Sequence, residues 1–182
     1  MRYLLPLLLL LGGCGGCASI PSHSELRSMT VRLKFADGSI CSGTAIAADT
    51  LVTASHCGAS LATVNERRVK VTGVGRDKRD MMTLRVSGVR FAHWARWGKP
   101  VTQGARVRWF GTPNGVAMYR EGYVTLANTD IVLIDAPAFG GDSGAGIWDE
   151  RGELVGVLTG GLLWDRQGHH MQLVVMYPPE RN

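Results

Sequence analysis

Three polar residues in this chain sit in surroundings that could make them reactive. Ser143 lies in Phe139-Gly140-Gly141-Asp142-Ser143-Gly144-Ala145-Gly146-Ile147. A nucleophilic serine needs an exposed Oγ and backbone N–H groups that converge on the developing oxyanion. Glycines on both sides permit a tight loop whose amides turn one way, and a side chain at Gly141 would crowd the oxyanion position. His56 lies in the stretch from Cys41 to Cys57, CSGTAIAADTLVTASHC. A strand over Ser42–Ala47, a turn at Ala48-Asp49 and a strand over Leu51–Ser55 would deliver it beside Cys57, and a general base must be held to within a fraction of an ångström. Asp80 heads the apolar run Met81-Met82-Thr83-Leu84-Arg85-Val86. A carboxylate at a strand end can accept the imidazole Nδ1–H, which selects the useful tautomer and stabilises the imidazolium. Asp77 competes for that role, although Lys78 and Arg79 follow it rather than a strand. Taken singly these are a turn serine, a structural histidine and one charge in a loop. In the order His, Asp, Ser they describe a base, its orienting acid and a nucleophile.

The N-terminus bounds the compartment. Arg2 precedes an apolar run from Tyr3 to Leu11, too short for a bilayer-spanning helix of roughly 20 residues and suited to an export signal. Leu11-Gly12-Gly13-Cys14 resembles the lipobox of bacterial lipoproteins, in which the chain is cut before the cysteine and the cysteine is acylated. Residues 1–13 are then the signal peptide, Cys14 the lipidation site, and 14–28 a polar tether. Ordinary secretion is the alternative. Cys17 is a second candidate for lipidation, with preceding residues that fit the lipobox less well. In an exported chain the other two thiols, Cys41 and Cys57, are expected to pair across the hairpin that carries His56, the other reading being two free buried thiols.

The elements that must position these residues are short strands. The 182 residues suit one domain, and 24 glycines favour many turns. Strands are expected at Thr30–Phe35, Ser42–Ala47, Leu51–Ser55, Val69–Val74, Met81–Val86 and Val107–Phe110. Others are expected at Tyr119–Leu126, Ile131–Asp135, Ala145–Asp149, Glu153–Thr159 and Met171–Met176. This spacing, with no long amphipathic helix, describes an all-β barrel or sandwich.

With these motifs assembled, the chain resembles a chymotrypsin-like (trypsin-fold) serine protease of the compact bacterial or viral kind. Thr53-Ala54-Ser55-His56-Cys57 is similar to that family's histidine motif, with Ser55 where alanine is usual. Asp80-Met81-Met82-Thr83-Leu84 is similar to its aspartate motif. Gly141-Asp142-Ser143-Gly144 matches its serine motif, continued by Ala145-Gly146 where glycine and proline are usual. Asp135-Ala136 and the turn Gly111-Thr112-Pro113-Asn114-Gly115 are similar to segments of bacterial members. The resemblance implies two antiparallel Greek-key β-barrels over 29–178, with the active site in the cleft between them. It implies a catalytic His56, Asp80 and Ser143, and an oxyanion hole from the Gly141 and Ser143 amides. Pro137 and Ala138 would line the primary specificity pocket, favouring a small or apolar side chain, and Thr159, Gly160 and Gly161 would pair with substrate backbone. Trypsin-like zymogens pair the acid before the serine with a newly cut amino terminus; lacking that activation sequence, this chain is expected to pair Asp142 with the internal cation Arg120.

The remaining expectations follow by class. The substrate is a polypeptide, no cofactor or metal is required, the protein is a monomer, and it resides in the bacterial cell envelope, on the periplasmic face of a membrane. The net charge of +5 includes Arg67, Arg68, Lys70, Arg76, Lys78 and Arg79, but no aromatic residue lies among them to stack on bases, so nucleic acid is not favoured. A metal site from Cys41, His56 and Cys57 with His169 or His170 matches no familiar zinc spacing, and the two histidines read as turn-flanking surface residues. The competing functional class is a catalytically silent relative that binds peptides in the same cleft.

Overall fold

The computed structural model describes residues 20–166 and 169–177. The expected signal, Cys14 and the first part of the expected tether lie outside the described residues. Among the described residues the first element is a helix, α1 (His23–Met29), followed by thirteen strands. The first unit holds β1 (Thr30–Phe35), β2 (Ile40–Ala47), β3 (Thr50–Ala54), β4 (Leu61–Val64), β5 (Arg67–Arg68), β6 (Lys70–Arg76) and β7 (Met81–Ser87). The second holds β8 (Arg106–Gly111), β9 (Met118–Ala127), β10 (Val132–Asp135), β11 (Gly146–Trp148), β12 (Leu154–Arg166) and β13 (His169–Tyr177).

The second unit is a closed barrel in the order β10-β13-β12-β11-β8-β9, and the first is a seven-stranded sheet in the order β5-β4-β1-β2-β3-β7-β6. All strand pairs are antiparallel, as expected for the two-barrel architecture, with the first unit a half-barrel rather than a closed one. Alternation places Met82, Leu84 and Val86 of β7 inside the first unit, and Val107 and Trp109 of β8 inside the second.

Three features correct the sequence expectations. Where a tether was expected to Ser28, α1 starts at His23 with a capping box: Ser22 accepts from the Glu25 amide, and Glu25 accepts from the Ser22 amide. That backbone hydrogen bond, followed by the Ser22 hydroxyl, holds the Glu25 carboxyl below the usual range. The helix buries Leu26 and Met29 in the core of the second unit, and full burial of such side chains stabilises by about 1.5–3 kcal/mol each. Second, β4 and β5 were not anticipated. Third, β12 runs on past Thr159 to Arg166 and pairs with β13 from Val157↔Tyr177 to Arg166↔His169, with a shift of register between Leu158 and Gly160. His169 and His170 therefore open a strand, while the turn expected before them, at Gln167 and Gly168, lies outside the described residues.

Candidate active site

Sheet register brings the base and its acid together. β3 pairs with β7 from Thr50↔Arg85 to Ala54↔Met81, so the residue after β3 must lie opposite the residue before β7. Accordingly the Ser55 amide donates to the Asp80 carbonyl at 2.8 Å. The next residue is His56, in the 3-10 turn Ser55–Cys57. The Asp80 carboxylate holds it twice: Oδ1 accepts the His56 backbone N–H at 2.8 Å, and Oδ2 lies 2.6 Å from Nδ1. One oxygen thus sets where the histidine backbone sits and the other sets the plane of the ring. Asp80 adopts a left-handed backbone (φ 60°) to do so, a conformation that costs a non-glycine residue roughly 1–2 kcal/mol. Asp77 has a different task. Its Oδ1 accepts from the Arg79 and Met81 amides and shapes the turn into β7.

Cys41 on β2 is disulfide-bonded to Cys57, with Cα atoms 6.4 Å apart. Closing this loop removes unfolded-state entropy worth about 3 kcal/mol, and it fixes the residue after His56 to the neighbouring strand. The bond also removes both thiolates from any metal-ligand set.

The serine loop is built as a tight turn. The Asp142 amide donates to the Phe139 carbonyl at 3.0 Å, and Gly141, third in that turn, has φ 100°, the pattern of a type II turn. A Cβ at Gly141 would stand 2.7 Å from the Thr112 carbonyl oxygen, so both the conformation and the space require glycine. The Gly144 amide donates to Leu158 and the Ala145 amide to Asp142. Among the described residues the amides of Gly141 and Ser143 have no such acceptor, which leaves two N–H groups two residues apart available to an outside oxygen. A β2 residue not singled out from the sequence, Ser42, ties this loop to the first unit. Its amide donates to the Ser143 carbonyl at 2.8 Å, and its hydroxyl donates to the Gly141 carbonyl at 2.8 Å and contacts Thr112 Oγ1 at 2.9 Å. Cys57 Sγ lies 4.0 Å from the same Ser143 carbonyl oxygen. The nucleophile candidate thus sits against the disulfide that adjoins His56.

Beneath the loop Asp142 is fully buried and forms an ion pair with Arg120 of β9, the partner expected from the sequence. Its Oδ2 also accepts the Phe139 amide at 2.9 Å. Gly111 makes room, since a Cβ there would overlap Asp142 Oδ1. Phe139 is 55% exposed and lies over the Arg120 guanidinium, 4.7 Å from ring centroid to Cζ. It therefore caps the ion pair. Pro137 is exposed, and Ala138 is half-buried against the barrel core.

Thr159, Gly160 and Gly161 lie on β12 beyond its pairing with β11, which ends at Val157. On the other side Gly160 and Gly161 pair with Val175 and Val174. Among the described residues the opposite edge carries no strand, and Gly160 has open space where a Cβ would stand.

Comparison with known proteins agrees with the fold. Residues 41–157 match a family model described as a trypsin-like peptidase domain. The fold is similar to the Rv3671c protease from M. tuberculosis in its active form, at 19% identity and TM-score 0.66, covering 96% of this chain and 89% of that one. It is also similar to the HtrA-type protease AlgW with tripeptide, at 20% identity and TM-score 0.68, covering 85% of this chain and 57% of that one. A serine endoprotease from Yersinia pestis matches at 18% identity and TM-score 0.68, over 85% of this chain and 60% of that one. No curated protein matches the sequence.

Proposed function

The chain belongs to the trypsin-like peptidase family and is a serine-type endopeptidase, and from that premise we propose a mechanism in which Ser143, His56 and Asp80 cleave polypeptides through an acyl-enzyme. The observation that carries the assignment is the double grip of Asp80 on His56. With Nδ1–H donated to Asp80, the free electron pair is on Nε2. That nitrogen takes the Ser143 hydroxyl proton as Oγ attacks the scissile carbonyl, and the carbonyl oxygen becomes an oxyanion. Substrate binding brings Oγ and Nε2 into hydrogen-bond range, since catalytic contacts often tighten only in the complex. The amides of Gly141 and Ser143 receive the oxyanion, and each such donor is worth about 10²–10³ in rate. Collapse of the tetrahedral intermediate breaks the C–N bond, with His56 returning its proton to the leaving amine. Water then enters and its oxygen attacks the acyl carbonyl while His56 takes its proton; as the ester C–O bond breaks, His56 returns that proton to Ser143 Oγ and the acid product leaves.

Substrate backbone adds to the open edge at Thr159, Gly160 and Gly161, where main-chain hydrogen bonds supply affinity without reading side chains. Pro137 and Ala138 offer no charge near the first side chain, which favours small or apolar residues at the cut. Because Arg120 is part of the folded barrel, loop order does not depend on a newly cut amino terminus, and the enzyme is active without proteolytic maturation. The lipobox-like segment leads us to place it in the bacterial envelope, as a monomer held to a membrane through acylated Cys14 after removal of residues 1–13.

Incubating the chain with a peptide library and sequencing the products tests this reading. Cleavage after small or apolar residues is expected, with Ser143→Ala slower by about 10⁴-fold or more. Equal cleavage by the variant would assign the activity elsewhere.

A further inference from the structure

The connector between the two units presents an aromatic, basic surface that the proposed chemistry does not use. It reads Arg90-Phe91-Ala92-His93-Trp94-Ala95-Arg96-Trp97-Gly98-Lys99, with no carboxylate. Its backbone is pinned. The Phe91 amide donates to Ala48, Ala95 to Ala45 and Gly98 to Leu154, and the Leu154 amide donates to the Arg96 carbonyl. Phe91 and Ala95 are buried, one in each unit's core. What remains outside is therefore held outside: Trp94 at 48% exposure and Trp97 at 39%, among exposed Arg90, His93, Arg96 and Lys99. Exposed indoles in a rigid loop mark a surface meant to be covered.

The position of the N-terminal segment says by what. Trp94, His93 and Arg96 line a cavity of about 610 Å³ together with Ile20, Pro21, Arg151 and the acidic Glu25 and Glu153. Pro21 lies so close over Gly152 (φ 76°) that a Cβ there would meet Pro21 Cδ at 2.5 Å. From this fixed point to Cys14 are seven peptide steps, which span at most about 25 Å when fully extended. An acylated Cys14 would therefore hold this face close to the lipid headgroups. None of His56, Asp80 and Ser143 lines the cavity. Indoles prefer the membrane–water interface, and each surface cation near anionic lipid contributes about 1 kcal/mol, or about fivefold in partitioning.

We propose that the connector docks on anionic lipid through its exposed Trp94, Trp97, Arg90, Arg96 and Lys99, setting the orientation of the tethered enzyme. This rests on the lipid-anchor reading, and the two can fail separately. Full-length protein reconstituted in vesicles of phosphatidylglycerol and phosphatidylcholine with brominated acyl chains provides the test, with the mass of the Cys14 peptide reporting acylation independently. Trp fluorescence should be quenched, and most of that quenching should disappear in Trp94→Phe/Trp97→Phe, whose turnover of a soluble peptide should be unchanged. The difference should shrink in phosphatidylcholine alone. Equal quenching of wild type and variant, with Cys14 acylated, would overturn the docking surface and leave the anchor standing. Quenching of these indoles without acylation would remove the anchor and support the surface. Unquenched indoles in a protein that sediments as a dimer through this face would assign it to a second copy and overturn the lipid reading.

Discussion

Asp80→Asn is expected to lower kcat by about 10⁴-fold with KM nearly unchanged. The wild-type carboxylate accepts two hydrogen bonds from one residue, from the His56 amide and from Nδ1–H. An asparagine has one acceptor and one donor. If its carbonyl oxygen keeps the His56 amide, its NH₂ group faces Nδ1, and the proton moves to Nε2. The ring is still well placed but holds its proton on the side where it must accept one. The substrate edge proposed at Thr159, Gly160 and Gly161 is untouched, so the loss falls on a group needed only as the transition state forms. Steady-state kinetics on one cleaved peptide check this, with the thermal midpoint as a control for folding. A comparable fall in kcat/KM carried by KM alone would contradict the assignment.

Arg120→Met acts on the same loop from below. Asp142 is fully buried and Arg120 is its cation, with the Phe139 amide as its further donor. Removing one partner of a buried ion pair costs about 3–5 kcal/mol, because the remaining charge stays desolvated. For a chain of this size that lowers Tm by about 10 °C. The effect should reach the chemistry, since the ion pair lies under the turn that exposes the Gly141 and Ser143 amides. Arg120→Met/Asp142→Asn should recover part of the stability, with a positive coupling in the double-mutant cycle. Calorimetry of the four proteins, with peptide turnover measured in parallel, reads both effects. Unchanged Tm and turnover in Arg120→Met would show that the loop does not rely on this pair.

What could be read in the sequence was local. His56 and Ser143 are flanked by neighbours that shape them within a few residues, and Asp80 heads a strand whose alternation is visible. Arg120 was within reach because a buried acid before the serine demands a cation and the family resemblance removed the usual one. Ser42 and Thr112 were not legible. They meet the serine loop from about 100 and 29 residues away along the chain, and a serine after a cysteine carries no mark of that contact. The helix α1 was missed although Ser22-His23-Ser24-Glu25 is a capping-box signature. With only Leu26 and Met29 on its apolar side, seven residues show too little periodicity to stand against a polar composition. Gly160-Gly161 read as the end of a strand, whereas β12 carries them through to Arg166 because β13 pairs with it over that stretch.

The central claim is that Ser143 is a nucleophile activated by His56, and a fluorophosphonate probe tests it most directly. Phosphonylation requires an activated hydroxyl beside a site that accepts an oxyanion, independent of which peptide is preferred. Peptide mapping of the labelled chain should find one adduct, on Ser143, absent in Ser143→Ala and strongly reduced in Asp80→Asn. A folded, disulfide-bonded wild-type chain that takes no label, or takes it on another residue, would contradict the account and leave a peptide-binding relative of the peptidases.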